Sequence, residues 1–200
     1  MISSRSDLQH YLEQDRIADE YKGRKPKVIG GWPNLIWKYK IFLRKAEFYT
    51  NCGKGIAGKL LKIYYKYRYT HLGIRLGYTI PLNVIGSGLS LPHYGTVIIN
   101  GTAKIGKNCR IMADVCIGST SGINQAAHIG DNVYIGAGAK ILGDIKIGND
   151  VCVGANAVVT KNFENGVTIA GIPAKVISHD KSHKNISPNL LKDLGEKCEE

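Results

Sequence analysis

The chain has 200 residues, with 27 Lys and Arg against 16 Asp and Glu, for a formal net charge of +11. That length suits one domain with an appendage, and no apolar run approaches the roughly 18 residues of a membrane span. Residues 1–80 carry +10 of the charge, but no zinc, helix-turn-helix or RNA-platform signature accompanies it, so nucleic acid is not the expected partner; five cysteines without CxxC spacing suit a reducing, cytoplasmic setting, with Cys109, Cys116 and Cys152 as small fillers.

In chain order, Ser6 is placed to cap a first helix in which Leu8, Tyr11 and Leu12 share a face, ending near Tyr21. The polar stretch 22–27, with Pro26, reads as a connection. Pro33 and Asn34 open a second helix with Leu35, Tyr39, Phe42, Leu43 and Ala46 on one stripe, and Gly53 follows its end. A third helix is predicted from Gly55 to Leu72, closing at Gly73, with Ile56, Leu60, Ile63 and Tyr67 on one face and Lys59, Lys62, Lys66 and Arg68 on or near another. It covers the open end of the region that begins at Gly77, or its basic face associates peripherally with an anionic membrane, on the inner side in a cytoplasmic protein. These helices make an N-terminal region, 1–76.

From Gly77 the composition changes, and residues 77–177 form the second region. From Ile99 through Ile105, Ile111, Ile117, Ile123 and Ile129 to Val159, an aliphatic residue falls at every sixth position, and glycine follows it at Gly106, Gly118, Gly130, Gly136, Gly148 and Gly154. A period of six fits neither a helix nor an ordinary strand; it fits a parallel β-helix with a triangular coil of three hexads. Residues eighteen apart should then stack, as Ile99/Ile117/Ile135/Val153 and Gly118/Gly136/Gly154, with glycine supplying the unusual dihedrals of each corner. Stacking is obligatory because one coil cannot bury its own aliphatic side chains. Just upstream the phase slips, since Val97 and Ile99 differ by two, and the slip contains His93 between Pro92 and Gly95. Such breaks are expected where function resides. A polar tail, 178–200, holds a short helix from Ser187-Pro188 and an acidic end.

The hexads resemble those of the hexapeptide-repeat acyltransferases. Leu91-Pro92-His93-Tyr94-Gly95, followed by Val97-Ile98-Ile99-Asn100, is similar to the histidine segment of serine acetyltransferase-like enzymes, in particular the branch of sugar and surface-polysaccharide O-acetyltransferases. The resemblance implies a mainly β fold, a left-handed parallel β-helix with a helical appendage, and acetyl transfer from acetyl-CoA to a hydroxyl without a metal. It makes His93 the general base, with Tyr94, Asn100 and His128 as candidates around the acceptor. Gly136-Ala137 and Gly154-Ala155 would hold the pantetheine arm in a slot between prisms of a homotrimer, and Lys161 or Lys175 would meet CoA phosphates.

Departures from the family bear on the acceptor. Pro92 stands where serine acetyltransferases have an aspartate, Asn124-Gln125-Ala126-Ala127 lacks the arginine and second histidine of their loop, and Gly77-Tyr78-Thr79-Ile80 holds no acid. A neutral hydroxyl, as in a sugar of a surface polysaccharide or its precursor, fits better than L-serine, the alternative acceptor. A non-catalytic scaffold is the alternative outside enzymology. A metal-dependent hydratase fits poorly, because only His93 and His128 fall in the repeat.

Overall fold

The computed structural model describes residues 1–23, 26, 31–121 and 124–191. Ile123 in the hexad series, half of the 22–27 connection and the acidic end therefore lie outside the described residues. Helix α1 spans Arg5–Ala18 and is capped by Ser4, not Ser6: the Ser4 hydroxyl accepts from the Asp7 N–H at 3.0 Å, while the Asp7 carboxylate accepts from the Ser3 N–H and hydroxyl. This reciprocal box starts the helix two residues early, and α1 ends at Ala18 rather than near Tyr21. Helix α2 spans Trp32–Cys52, with Pro33 in its first turn and Gly53 at its end. Helix α3 spans Gly55–Leu76 and closes on Gly77 at φ 81, past the predicted stop at Gly73. Gly73 serves packing instead: a Cβ there would stand 2.9 Å from the Tyr78 carbonyl oxygen.

Beyond α3 the chain winds into a three-sided prism of short, parallel-stacked strands. The first side carries Tyr78–Thr79, Val97–Ile99, Val115–Gly118, Lys140–Leu142 and Val158–Val159; the second carries Lys104–Ile105, His128–Ile129 and Lys146–Ile147. The third carries Arg110–Ile111, Tyr134–Ile135, Cys152–Val153 and Thr168–Gly171, closed by the antiparallel strand Ala174–Ser178. The aliphatic hexad residues fill the interior, with Ile117, Ile135, Ile141, Val153 and Val159 fully buried. The Cys109 thiol is also buried, which pushes its pKa up to about 12 and fits a filler.

The stacking departs furthest from the expected eighteen in the middle of the hexad series. Ile99 lies on Ile117, but Ile117 lies on Ile141, twenty-four residues on, and Ile135 stacks with Ile111 and Val153 on another side. Between the strands Val115–Gly118 and His128–Ile129 the chain takes one extra hexad and is back in the core by Ala126 and Ala127, both fully buried, so the sequence keeps its phase while the register skips a side. Gly118 accordingly pairs with Leu142 rather than Gly136.

The repeat glycines also act differently from expectation. Left-handed conformations at the corners belong to Asn108, Asp114, Asn132, Asp150 and Asn156, with φ between 54° and 61°, and to Gly88, Gly138 and Gly166, none of which follows an aliphatic hexad residue; the short polar side chains of Asn and Asp tolerate that region. Gly106, Gly130 and Gly148 are required by space: a Cβ at Gly106 would stand 2.6 Å from the Gly130 carbonyl carbon. Beside them the side chains form a ladder, with Asp131 accepting from the Lys107 N–H at 2.7 Å and Asn149 from the Asp131 N–H at 2.8 Å.

The first coil has no coil above it, and charged side chains from α1 and α2 take that place. Arg44, fully buried, donates to the carbonyls of Ile85 and Gly86 and pairs with Asp15 at 2.7 Å and Glu47 at 3.1 Å. Lys40 donates to the Leu89 carbonyl and pairs with Asp19 at 2.6 Å. Asp15 accepts from the Leu89 N–H, Asp19 from the Leu91 N–H and Glu47 from the Asn83 N–H. Burial alone would lower the Arg44 pKa, but Asp15 and Glu47 more than offset it, so the guanidinium stays charged.

Helix α3, expected to cover the prism, lies outside α2. Tyr65 stacks on Tyr49 with centroids 5.3 Å apart, and Leu72 and Leu76 are buried against the core. The residues predicted as its inward face point to solvent: Ile56 is 80 %, Leu60 62 %, Ile63 66 % and Tyr67 65 % exposed. After the last strand, the chain turns back along the outside of the prism. The Ser182 hydroxyl donates to the Asn132 carbonyl, His183 meets Asp150 at 2.9 Å, and Ile186 with Leu190 and Leu191 of α4 (Pro188–Leu191) packs on Ala18 of α1.

Candidate active site

His93 sits at the corner where the third side turns into the first. The corners below it in successive coils carry Ala113, Ala137 and Ala155: the Gly138 N–H donates to the Ala113 carbonyl at 3.0 Å and the Asn156 N–H to the Ala137 carbonyl at 2.8 Å. A Cβ added to Gly95 would already touch the Ala113 Cβ at 3.2 Å, and one at Gly136 would stand 2.6 Å from the Ala155 nitrogen. Gly136, Ala137, Gly154 and Ala155 therefore share one prism edge with His93, and small side chains leave its backbone open to a ligand. Lys175 also belongs near this edge, since its strand partner Ala170 adjoins Gly154.

Several bonds fix the backbone around His93. The Tyr78 hydroxyl donates to the His93 carbonyl at 2.5 Å, the Gly95 N–H to the Leu76 carbonyl at 2.9 Å and the Val97 N–H to the Gly77 carbonyl at 3.0 Å. Burial pushes the Tyr78 phenol well above its ordinary range, so it remains a donor. The imidazole itself is exposed and, among the described residues, meets no hydrogen-bonding group. Its neighbour is aromatic: the Trp32 ring lies 5.5 Å from it between centroids, and Tyr94 lies 6.2 Å from Trp32. Sequence reasoning missed Trp32, because only the docking of α2 on the first coil brings its first turn to His93.

Beside this corner is a cavity of about 280 Å³ lined by Asp19, Trp32, Ser90, Pro92 and Arg110, among others. The Ser90 hydroxyl and the Arg110 Nε are buried there without a hydrogen-bond partner among the described residues. Such orphaned groups are costly unless a ligand or water meets them.

The structure separates the other expected residues from His93. Asn100 is at the corner between the first and second sides, where its side chain accepts from the Thr102 N–H at 2.9 Å and closes a local turn. Lys161 follows the strand Val158–Val159 at that same corner, with its ammonium 5.6 Å from the Phe163 ring. His128 opens a strand of the second side, between Lys104 and Lys146. Within one chain, His128 and residues 124–127 just before it thus lie across the first side from His93. No group of three or more His, Cys, Asp or Glu among the described residues is arranged to hold a metal ion.

Comparison with known proteins adds to this geometry. Residues 126–161 match the family described as bacterial transferase hexapeptide (six repeats). No curated protein matches the chain. Among solved structures, the serine acetyltransferase of Brucella abortus strain S19 is 26% identical with a TM-score of 0.68, over 89% of this chain and 72% of that one. The same enzyme in complex with coenzyme A aligns at 24% identity and a TM-score of 0.66, over 88% and 70%. Soybean serine acetyltransferase complexed with serine is 28% identical with a TM-score of 0.63, over 88% and 70%.

Proposed function

We propose that the protein is an O-acetyltransferase that uses acetyl-CoA, built on a left-handed β-helix, with His93 as general base. The observation that carries this is the shared edge: His93 stands over the exposed corners Ala137 and Ala155, beside Gly136 and Gly154, where a thioester arm can lie along the prism. The repeat and the fold are those of acyltransferases. Residues 77–177 are the catalytic unit and 1–76 the helical region that seats His93, and the described part of the tail, 178–191, ties the two.

The imidazole accepts the acceptor's hydroxyl proton as its oxygen attacks the thioester carbonyl. The C–S bond then breaks, and the imidazolium returns the proton to the CoA thiolate, so atoms and charge balance. Backbone N–H groups at the edge suit the developing oxyanion. Because His128 and residues 124–127 lie across a side from His93, a neighbouring prism would have to supply them, which supports a homotrimer with sites between prisms.

Two acceptors have support. Likeness to a serine-bound enzyme favours L-serine, and the unpaired Arg110 Nε beside the site would suit its carboxylate. Pro92 in place of an acid, with Trp32 and Tyr94 at His93, favours a sugar hydroxyl lying on an aromatic ring. The test is release of CoA thiol by the purified protein with L-serine or sugars as acceptor. We expect His93→Ala to lower turnover by roughly 10²–10⁴-fold without loss of fold; an undiminished rate would remove His93 as the base.

A further inference from the structure

Helix α3 has two apolar faces. One packs on α2 through Tyr65, Tyr69, Leu72 and Leu76. The other, formed by Ile56, Leu60, Ile63, Tyr64, Tyr67 and Ile74, recurs at helical spacing on the opposite side of the same helix and is between 46 % and 80 % exposed. A helix apolar on both faces has to bury the second against something.

Charge identifies the occupant. Lys59, Lys62 and Lys66 run along one flank of the exposed stripe, and Arg68 and Arg75 lie on the other, while α3 holds no acidic residue. Two copies of this face laid together would place cation against cation, whereas an anionic surface would meet the apolar stripe and both flanks. An apolar face with tyrosines at its margin and cations on either side has the composition of a helix lying in a lipid headgroup layer. No helix among the described residues is long and apolar enough to cross a membrane, so α3 would rest on the surface.

We propose that α3 is an interfacial helix that seats this protein on an anionic phospholipid surface, with Ile56, Leu60, Ile63 and Tyr67 among the headgroups and the flanking lysines against their phosphates. This stands apart from the acetyl-transfer reading, since α3 contributes no side chain to the His93 edge.

The test is co-sedimentation of the full chain with phosphatidylcholine vesicles, with and without phosphatidylglycerol. Binding should require phosphatidylglycerol and weaken as salt is raised. Leu60→Glu with Ile63→Glu should abolish it while retaining helicity and CoA-release activity. Lys59→Gln, Lys62→Gln and Lys66→Gln together should weaken it by about fivefold per charge, roughly a hundredfold in all. Equal binding to neutral vesicles, or no binding to either, overturns the proposal. So does a fall in oligomeric state on introducing Leu60→Glu and Ile63→Glu, because the face would then belong to a second copy.

Discussion

The upper edge of the first coil and the edges of the coils below it solve the same problem with opposite materials. Within the repeat, each strand's outward N–H and C=O groups meet the backbone of the next coil, and Ile117 on Ile141 shows how an apolar column follows from that register. At the top there is no next coil, and Arg44, Lys40, Asp15, Asp19 and Glu47 bond the backbone from Asn83 to Leu91. A repeat satisfies its own edges and can do so indefinitely; its end needs an arrangement that does not repeat. His93 follows two residues after the last clamped group, so the non-repeating part of the prism is also where a reactive side chain can be placed.

This contrast can be tested by weakening each part. Arg44→Leu leaves Asp15 and Glu47 as buried unpaired charges and orphans two carbonyls, and we expect a loss of about 3–5 kcal/mol in denaturant unfolding. Its folded fraction should also show reduced CoA-thiol release, because the clamp leads directly to His93. Ile141→Ala, in the repeat, should cost roughly 3 kcal/mol through the cavity it opens, yet its folded fraction should retain full specific activity. Equal activity losses for these two variants would erase the distinction between end and repeat. Tyr78→Phe makes the smallest change, removing one hydrogen bond to the His93 carbonyl at about 1 kcal/mol; a lower kcat with little change in KM would mark Tyr78 as a positioning residue.

The repeat is legible in the sequence because its cause is local: an inward aliphatic residue at every sixth position needs no knowledge of distant contacts. The extra hexad before His128 is not, because six added residues preserve the phase whose loss would betray a break. The corners mislead for a related reason. Glycine signals both conformational freedom and lack of space, and only the neighbouring coil shows that Gly106 and Gly130 answer to space while Asn108 and Asn132 take the left-handed turns. At the site, the phase slip marks His93, and spacing marks the stacked pairs Gly136-Ala137 and Gly154-Ala155. Trp32, Tyr78 and the buried charges depend on how helices dock, which hydrophobic periodicity does not encode; Arg44 and Glu47 look like surface residues until Asp15 is seen between helix and coil. Periodicity likewise reveals that the stripe of α3 is apolar, but not that it faces away from the prism.

The chain's final described segment sets a length. It bonds to Asn132 and Asp150 on the prism and reaches α1 only at Ile186, Leu190 and Leu191. Each added coil would raise the top of the prism by about 4.8 Å, the spacing between neighbouring strands. A solenoid has no intrinsic size, and duplication of eighteen residues is an easy change to its sequence. Here such a duplication would carry Ala18 away from Leu190, so the tail acts as a ruler that holds the number of coils between His93 and the base of the prism constant.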